Sequence, residues 1–215
     1  MKIIDCIQGS EEWDRWRLRP TASNFGRIVT PVKGGYSKSA VDYACEIVAK
    51  ELGVFTEPPP SYWMEYGTEN EPNAIASYEA TTGNKVQRVG FVLPDHTEAF
   101  GGSPDGLVSD NGLLETKCPK PETLIGYHAA GEMPAVYKPQ VQGLLLITGC
   151  EWCDFFAWHS ELEPFHVRVL PDAVYQASML EALCTFLAEL KRIRGACKRR
   201  SHADVLFPNV EEVVL

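Results

Sequence analysis

One short stretch limits the folds open to this chain more than any other. Leu107 and Val108 read as a strand, Ser109-Asp110-Asn111-Gly112 as a turn, and Leu113 to Cys118 as a second strand, which together make a β-hairpin. Residues two apart on a strand share a face, so Glu115 and Lys117 point together while Thr116 points away. Asp105, at the start of the first strand, lies opposite them across the pair. Leu113, Leu114 and Cys118 suit a buried strand, where charges are rarely tolerated without a metal or a partner.

The residue types at this spacing suit one chemistry. Hard divalent cations take clustered oxygen ligands, so two carboxylates beside an ammonium are suited to metal-dependent cutting of a phosphodiester. Mg²⁺ would bridge Asp105 and Glu115, the Thr116 backbone carbonyl would add an oxygen, and Lys117 would hold or polarise the attacking water. The competing reading, surface charges flanking a turn, fits a lone D…ExK string about as well. The apolar framing of the strand favours the metal site.

Helices dominate the chain before the hairpin. Ser10 is placed to cap a short helix carrying Trp13 and Trp16, Pro20 stops it, and Thr21 caps a second helix through Val29. Ser39 to Leu52 carries apolar residues near helical spacing, and Pro58-Pro59-Pro60 forces an extended connector. Glu71 to Thr82 reads as a helix with Pro72 in its first turn, so Glu71 has an alternative explanation as an N-terminal charge stabilised by the helix dipole. Val86 to Leu93, Ala99 to Gly102, Cys153 to Trp158 and Phe165 to Leu170 read as strands, and Pro139 to Thr148 and Pro171 to Arg194 as helices. The fold class is therefore α/β, a mixed central sheet flanked by helices.

With 215 residues, 45% of them hydrophobic, and no linker rich in Gly, Ser or Pro, the chain is expected to form one domain over residues 1–215. Gly143 to Thr148 is too short an apolar run to span a bilayer, and the N-terminus lacks the apolar core of a signal peptide, so a cytoplasmic protein without membrane contact is expected. Seven cysteines at irregular spacing suit reduced thiols better than a disulfide framework. Cys150-Glu151-Trp152-Cys153 has metal-ligand spacing, but it opens an apolar run without a second close pair, so core packing is the expected role. The charge of −9, from 29 acidic and 20 basic residues, does not exclude DNA, because a negative exterior can coexist with a locally basic channel. Lys191, Arg192, Arg194, Lys198, Arg199 and Arg200 concentrate positive charge at the end of the last helix, where helix dipole and DNA contact explain them equally well.

Pro104-Asp105 followed by Glu115-Thr116-Lys117 resembles the PD-(D/E)xK nuclease superfamily with its restriction-endonuclease-like fold. The wider chain resembles the lambda exonuclease type of phage recombination nuclease, the YqaJ family. Four blocks carry the likeness in order: Trp13 to Leu18 with Thr21-Ala22-Ser23; Gly67-Thr68-Glu69-Asn70-Glu71; Ser103 to Pro119; and Tyr137 to Gln142. The resemblance implies that Glu71, closing a Gly-x-x-x-Glu stretch, is a further metal ligand. It groups Arg17, Ser23, Ser103 and Gln140 as a pocket for a terminal 5′-phosphate, a role suited to a guanidinium with hydroxyl and amide donors. Gln142, two residues further along the same helix, points elsewhere. Met64 matches an apolar wedge that parts the duplex end, and Lys33 matches a basic residue of a DNA-tracking loop, although Lys stands there in place of Arg.

The implied activity is processive, two-metal 5′-to-3′ exonucleolytic digestion of double-stranded DNA from 5′-phosphorylated ends. It would use Mg²⁺, with Mn²⁺ as a substitute, and yield 5′-mononucleotides and a 3′ single-stranded overhang for recombination. A ring-shaped homotrimer and a phage-type single-strand annealing protein as partner are implied with it. The alternatives are a PD-(D/E)xK endonuclease of restriction or repair type and a noncatalytic module that binds DNA ends.

Overall fold

The structure, a computed structural model, describes residues 1–199; Arg200 of the basic cluster lies outside them. The strands are β1 (Lys2–Ile4), β2 (Val86–Gln87), β3 (Phe91–Leu93), β4 (Gly106–Val108), β5 (Gly112–Lys117), β6 (Trp152–His159) and β7 (Leu162–Val169). The α-helices are α1 (Glu11–Trp16), α2 (Phe25–Ile28), α3 (Ala40–Glu51), α4 (Tyr62–Thr82), α5 (Pro121–Ala130), α6 (Lys138–Thr148) and α7 (Ala173–Ala196). A five-stranded sheet runs in the order β2-β4-β5-β6-β7, with β5 and β6 parallel and the other neighbours antiparallel. The expected hairpin is β4-β5, with Gly106 opposite Leu114. Among the described residues, no helix is long and apolar enough to cross a membrane.

Period-two alternation assigns the sheet its two faces. Leu113, Cys153, Phe155 and Ala157 face the main core, which they share with residues of α2, α3, α5, α6 and α7. Leu114 and Phe156 face the other way, where Val108 and Tyr78 of α4 complete a smaller core. The helices therefore flank the sheet, as the pattern of elements predicts. Cys150 and Cys153 are buried in the main core and every cysteine of the described residues is unpaired, in keeping with packing as their role.

Several boundaries differ from the sequence reading. Helix α4 begins nine residues earlier than expected, at Tyr62, where the Ser61 hydroxyl accepts from the Met64 amide. Pro72 and Glu71 therefore lie mid-helix, which removes the dipole explanation for Glu71. Only Ala74 and Tyr78 of α4 are buried, so the helix carries no apolar periodicity to mark its start. Helix α5 was not expected, although Pro121 at its first position and Gly131 with φ 69° just past its end are the usual punctuation. Val86 to Leu93 divides into β2 and β3, and β3 pairs with the unanticipated β1. Ala99 to Gly102 is not a strand but makes isolated bridges, Thr21 to Gly101 and Val92 to Gly102. A Cβ on Gly101 would fall on the Phe91 ring and 2.6 Å from the Val92 carbonyl oxygen, so backbones meet there without side chains. Thr21 makes no cap bond; a 3-10 turn, Ala22–Asn24, leads into the four-residue α2.

A buried polar cluster locks α4 to the sheet. Asp154, fully buried, accepts two bonds from Arg168 at 2.8 and 2.9 Å and one from the Tyr78 hydroxyl at 2.7 Å, and His166 stands 3.3 Å away. Burial alone would raise the Asp154 carboxyl, but bonds from Arg168, His166 and Tyr78 outweigh it and hold the group far below the usual carboxylate range. Asp154→Asn is expected to destabilise the fold by about 3 kcal/mol, the lower end for breaking a buried pair because Arg168 is half exposed. Urea unfolding of the two proteins checks this. Because the folded-state carboxyl is depressed, its stabilisation is present above pH 4 and fades as pH falls below it.

Candidate active site

Strand β5 is apolar in its first half and polar in its second, and its polar end emerges between α4 and α6. Glu115 is 1% exposed, and its Oε1 accepts from Lys117 Nζ and, at 2.5 Å, from Gln140 Nε2 of α6. Its other oxygen, Oε2, is buried without a hydrogen-bond partner. Burial pushes the Glu115 carboxyl up to about 7, with Lys117 opposing and Asp105 reinforcing the rise. Burial would lower the Lys117 ammonium, but Glu115 and Asp105 raise it well above its ordinary value, so Lys117 remains a cation.

The other two carboxylates are held by different means. Asp105 Oδ2 accepts from both the amide and the hydroxyl of Thr116, at 2.5 and 2.7 Å, which fixes it beside the end of β5. Glu71 projects from α4 and pairs with Arg88 at 2.8 Å. Burial and the nearby Asp105 raise the Glu71 carboxyl, against the pull of Arg88. Among the described residues, no three His, Cys, Asp or Glu side chains close into a ready-made ligand set. Three mutually repelling carboxylates and one unpaired buried oxygen nevertheless fit a hard cation, the ligand that relieves both at once.

Two cavities meet at these residues. A pocket of about 200 Å³ is lined by Arg17, Ser23, Ser103 and Gln140 together with Asp105, Glu115 and Lys117. Its walls are ordered by Trp13, whose indole N–H donates to the Ser103 hydroxyl at 2.8 Å and whose ring lies 4.1 Å under the Arg17 guanidinium. A wider cleft of about 690 Å³ shares Ser23, Asp105 and Lys117 with the pocket and extends along α4 past Glu71, Gly67, Met64 and Trp63.

Residues 12–151 match the YqaJ-like viral recombinase domain. The chain belongs to the YqaJ-like viral recombinase family. The solved alkaline exonuclease LHK-Exo from Laribacter hongkongensis is 34% identical, with 87% of this chain and 95% of that chain covered and a TM-score of 0.79. A structure of LHK-Exo in complex with dAMP matches at 33% identity over 87% of this chain and 95% of that one, with a TM-score of 0.78. The phage-related exonuclease from Haemophilus somnus 129PT shares the fold at 15% identity, covering 83% of this chain and 96% of that chain with a TM-score of 0.63. No curated protein sequence gave a significant match. The chain is thus a nuclease of the alkaline exonuclease type.

The fold brings together almost every residue that the YqaJ-family likeness singled out. Asp105, Glu115, Lys117, Arg17, Ser23, Ser103 and Gln140 share one pocket, and Glu71, Thr116 and Met64 line the adjoining cleft. Lys33 lines neither cavity; it sits on a turn whose Gly34 packs against Tyr175 and Ser178 of α7. Gln142 faces away from Gln140, as helical geometry requires, and bonds the Leu170 carbonyl at 2.9 Å. In the basic cluster, Arg192 pairs with Glu189 and Arg194 with Glu51. Sequence reasoning missed Arg88, which holds Glu71, and Tyr137, whose ring lies 5.4 Å from Lys117 Nζ. Arg88 carried no signal, because its pairing depends on how α4 packs. Tyr137 opens the block that ends at Gln142, and that position was the signal that could have found it.

Proposed function

We propose that this YqaJ-family nuclease is a metal-dependent exonuclease that digests one strand of linear double-stranded DNA from a 5′-phosphorylated end. It would release 5′-mononucleotides and leave a 3′ single-stranded overhang for recombination by strand annealing. The observation that carries this reading is the shared pocket, in which Arg17, Ser23 and Ser103 stand beside the Asp105, Glu115 and Lys117 constellation. A phosphate gripped there would set the distance from the chain end to the bond that is cut. The dAMP complex of LHK-Exo supports a mononucleotide product.

Asp105, Glu115 through its free Oε2, Glu71 and the Thr116 carbonyl would hold Mg²⁺ or Mn²⁺, two ions per site. When bound, the metal supplies Lewis acidity toward the phosphate and a more acidic water. Lys117 remains protonated, so it orients the attacking water and offsets charge on the phosphate rather than accepting a proton. Gln140 fixes Glu115 from α6, and Thr116 fixes Asp105, so neither carboxylate must reorganise when substrate arrives. Family membership supports processive action by a homotrimer and cooperation with a phage-type annealing protein, with solution mass as the check on the former.

The direct test compares linear duplexes with covalently closed circles, in Mg²⁺ and in EDTA. Release of mononucleotides from linear DNA alone, abolished by EDTA, is the expected result. Rapid cutting of circles would favour an endonuclease instead, and end binding without release a noncatalytic module. A pH effect follows from Glu115. Its carboxyl titrates near 7 without metal, so protons and metal compete for it below that value. The Mg²⁺ concentration for half-maximal digestion is expected to rise about tenfold for each pH unit below 7 and to level off above it. Titrations of Mg²⁺ at pH 5.5 to 8.5 check this.

A further inference from the structure

One face of α4 extends the site beyond the carboxylates and the phosphate pocket. Trp63, Gly67 and Glu71 follow one another at four-residue spacing and all line the wide cleft, so they form a single stripe. Trp63 stands eight residues from Glu71, about 12 Å along the helix. Gly67, between them, leaves the backbone bare, and a Cβ there would meet nothing within 4 Å. The stripe is therefore an open track with the carboxylates at one end and an indole at the other.

The indole is braced rather than buried in a core. Its ring meets Tyr62 at 5.1 Å and Tyr66 at 5.3 Å, both edge-on, and Tyr66 in turn stacks on His159 at 6.0 Å. Across the cleft, Lys120 Nζ lies 5.7 Å from the Trp63 ring centroid. Lys120 belongs to the segment between β5 and α5 and lines the same cleft, so it places a positive charge beside the aromatic surface. A braced ring beside a cation, on a track leading to carboxylates, is a combination that suits single-stranded nucleic acid, whose bases stack and whose phosphates pair.

We infer that Trp63, with Lys120, is a stacking site for an unpaired nucleobase a few nucleotides from the bond that is cut. Trp63 holds the base by its π-face without reading its identity, and Lys120 contacts the adjoining phosphate. The site rests on the nuclease reading above and adds a substrate-positioning role to it. Met64, beside Trp63, lines the same cleft.

Abasic scanning tests this by binding alone. Duplex ends with a short unpaired stretch carry one abasic nucleotide at each of the first six positions, and affinity is measured by fluorescence anisotropy in EDTA. The wild type should show a roughly 5- to 100-fold loss at one position. Trp63→Ala should bind the intact end that much more weakly and lose the position dependence, whereas Trp63→Phe should restore it. Thermal melting of each variant reports folding separately. Identical abasic profiles for wild type and Trp63→Ala would overturn the stacking site. If that happens while wild type still digests linear DNA in Mg²⁺, the exonuclease reading survives; a position-dependent profile without digestion from the end would keep the stacking site and remove the exonuclease reading.

Discussion

Asp105→Asn is expected to slow digestion of linear duplex DNA by on the order of 10³-fold or more while leaving end binding in EDTA within a few-fold of wild type. The substitution keeps shape and volume but removes the charge that Thr116 holds in place through two hydrogen bonds. Lys117→Ala should reduce kcat to a similar degree, because among the described residues no other cation pairs with Glu115 in the shared pocket. Single-turnover digestion alongside anisotropy separates the two quantities. Equal activity of Asp105→Asn and wild type would remove this carboxylate from the chemistry. The two variants should differ in stability. Losing Lys117 leaves the buried Glu115 without its counter-charge, so Lys117→Ala should also melt at a lower temperature.

Removing the terminal phosphate should matter nearly as much. A duplex with a 5′-hydroxyl end is expected to be digested about 10- to 100-fold more slowly than its 5′-phosphorylated counterpart, the scale of one or two charge-assisted hydrogen bonds. Arg17→Ala should slow the phosphorylated substrate by a similar factor and leave the hydroxyl-ended one nearly unchanged, so discrimination between the ends collapses. That pattern distinguishes phosphate recognition from general loss of DNA binding, which would lower both substrates together. Trp13→Phe should give an intermediate result, since it keeps an aromatic surface under Arg17 but loses the bond to Ser103.

The hairpin was legible because its evidence is local: a turn cluster, two short apolar runs and the period-two rule place Asp105 opposite the Glu115 and Lys117 face, and only the distances awaited the structure. The meeting of Arg17, Ser23, Ser103 and Gln140 in one pocket was legible by a different route. They come from three distant segments, Arg17 with Ser23, then Ser103, then Gln140, and nothing in their spacing brings those segments together; the family pattern did. Helix α4 was the main failure. It is polar on nearly every side, it contains a proline, and its true start depends on a serine cap that many serines could have matched. Arg88 escaped for a related reason, since its partner is reached only once α4 lies against the sheet.

That proline gives α4 a mechanical property. Pro72 has no amide to bond the carbonyl of Thr68, so the helix is weakest between its two halves. The half beyond the gap is rooted in the smaller core by Tyr78, which is tied to Asp154, and by Ile75. The half before it carries Trp63 and Met64, is partly exposed, and touches the sheet through Tyr66 and His159. A bend of the helix would fall at this gap, next to Glu71. Measured from Ala74, a tilt of about 5° shifts Glu71 by roughly 0.4 Å and the Trp63 end by roughly 1.4 Å. A tilt about that point would therefore move the Trp63 end several times further than Glu71, so the Glu71 carboxylate keeps its place when the far end of the helix shifts.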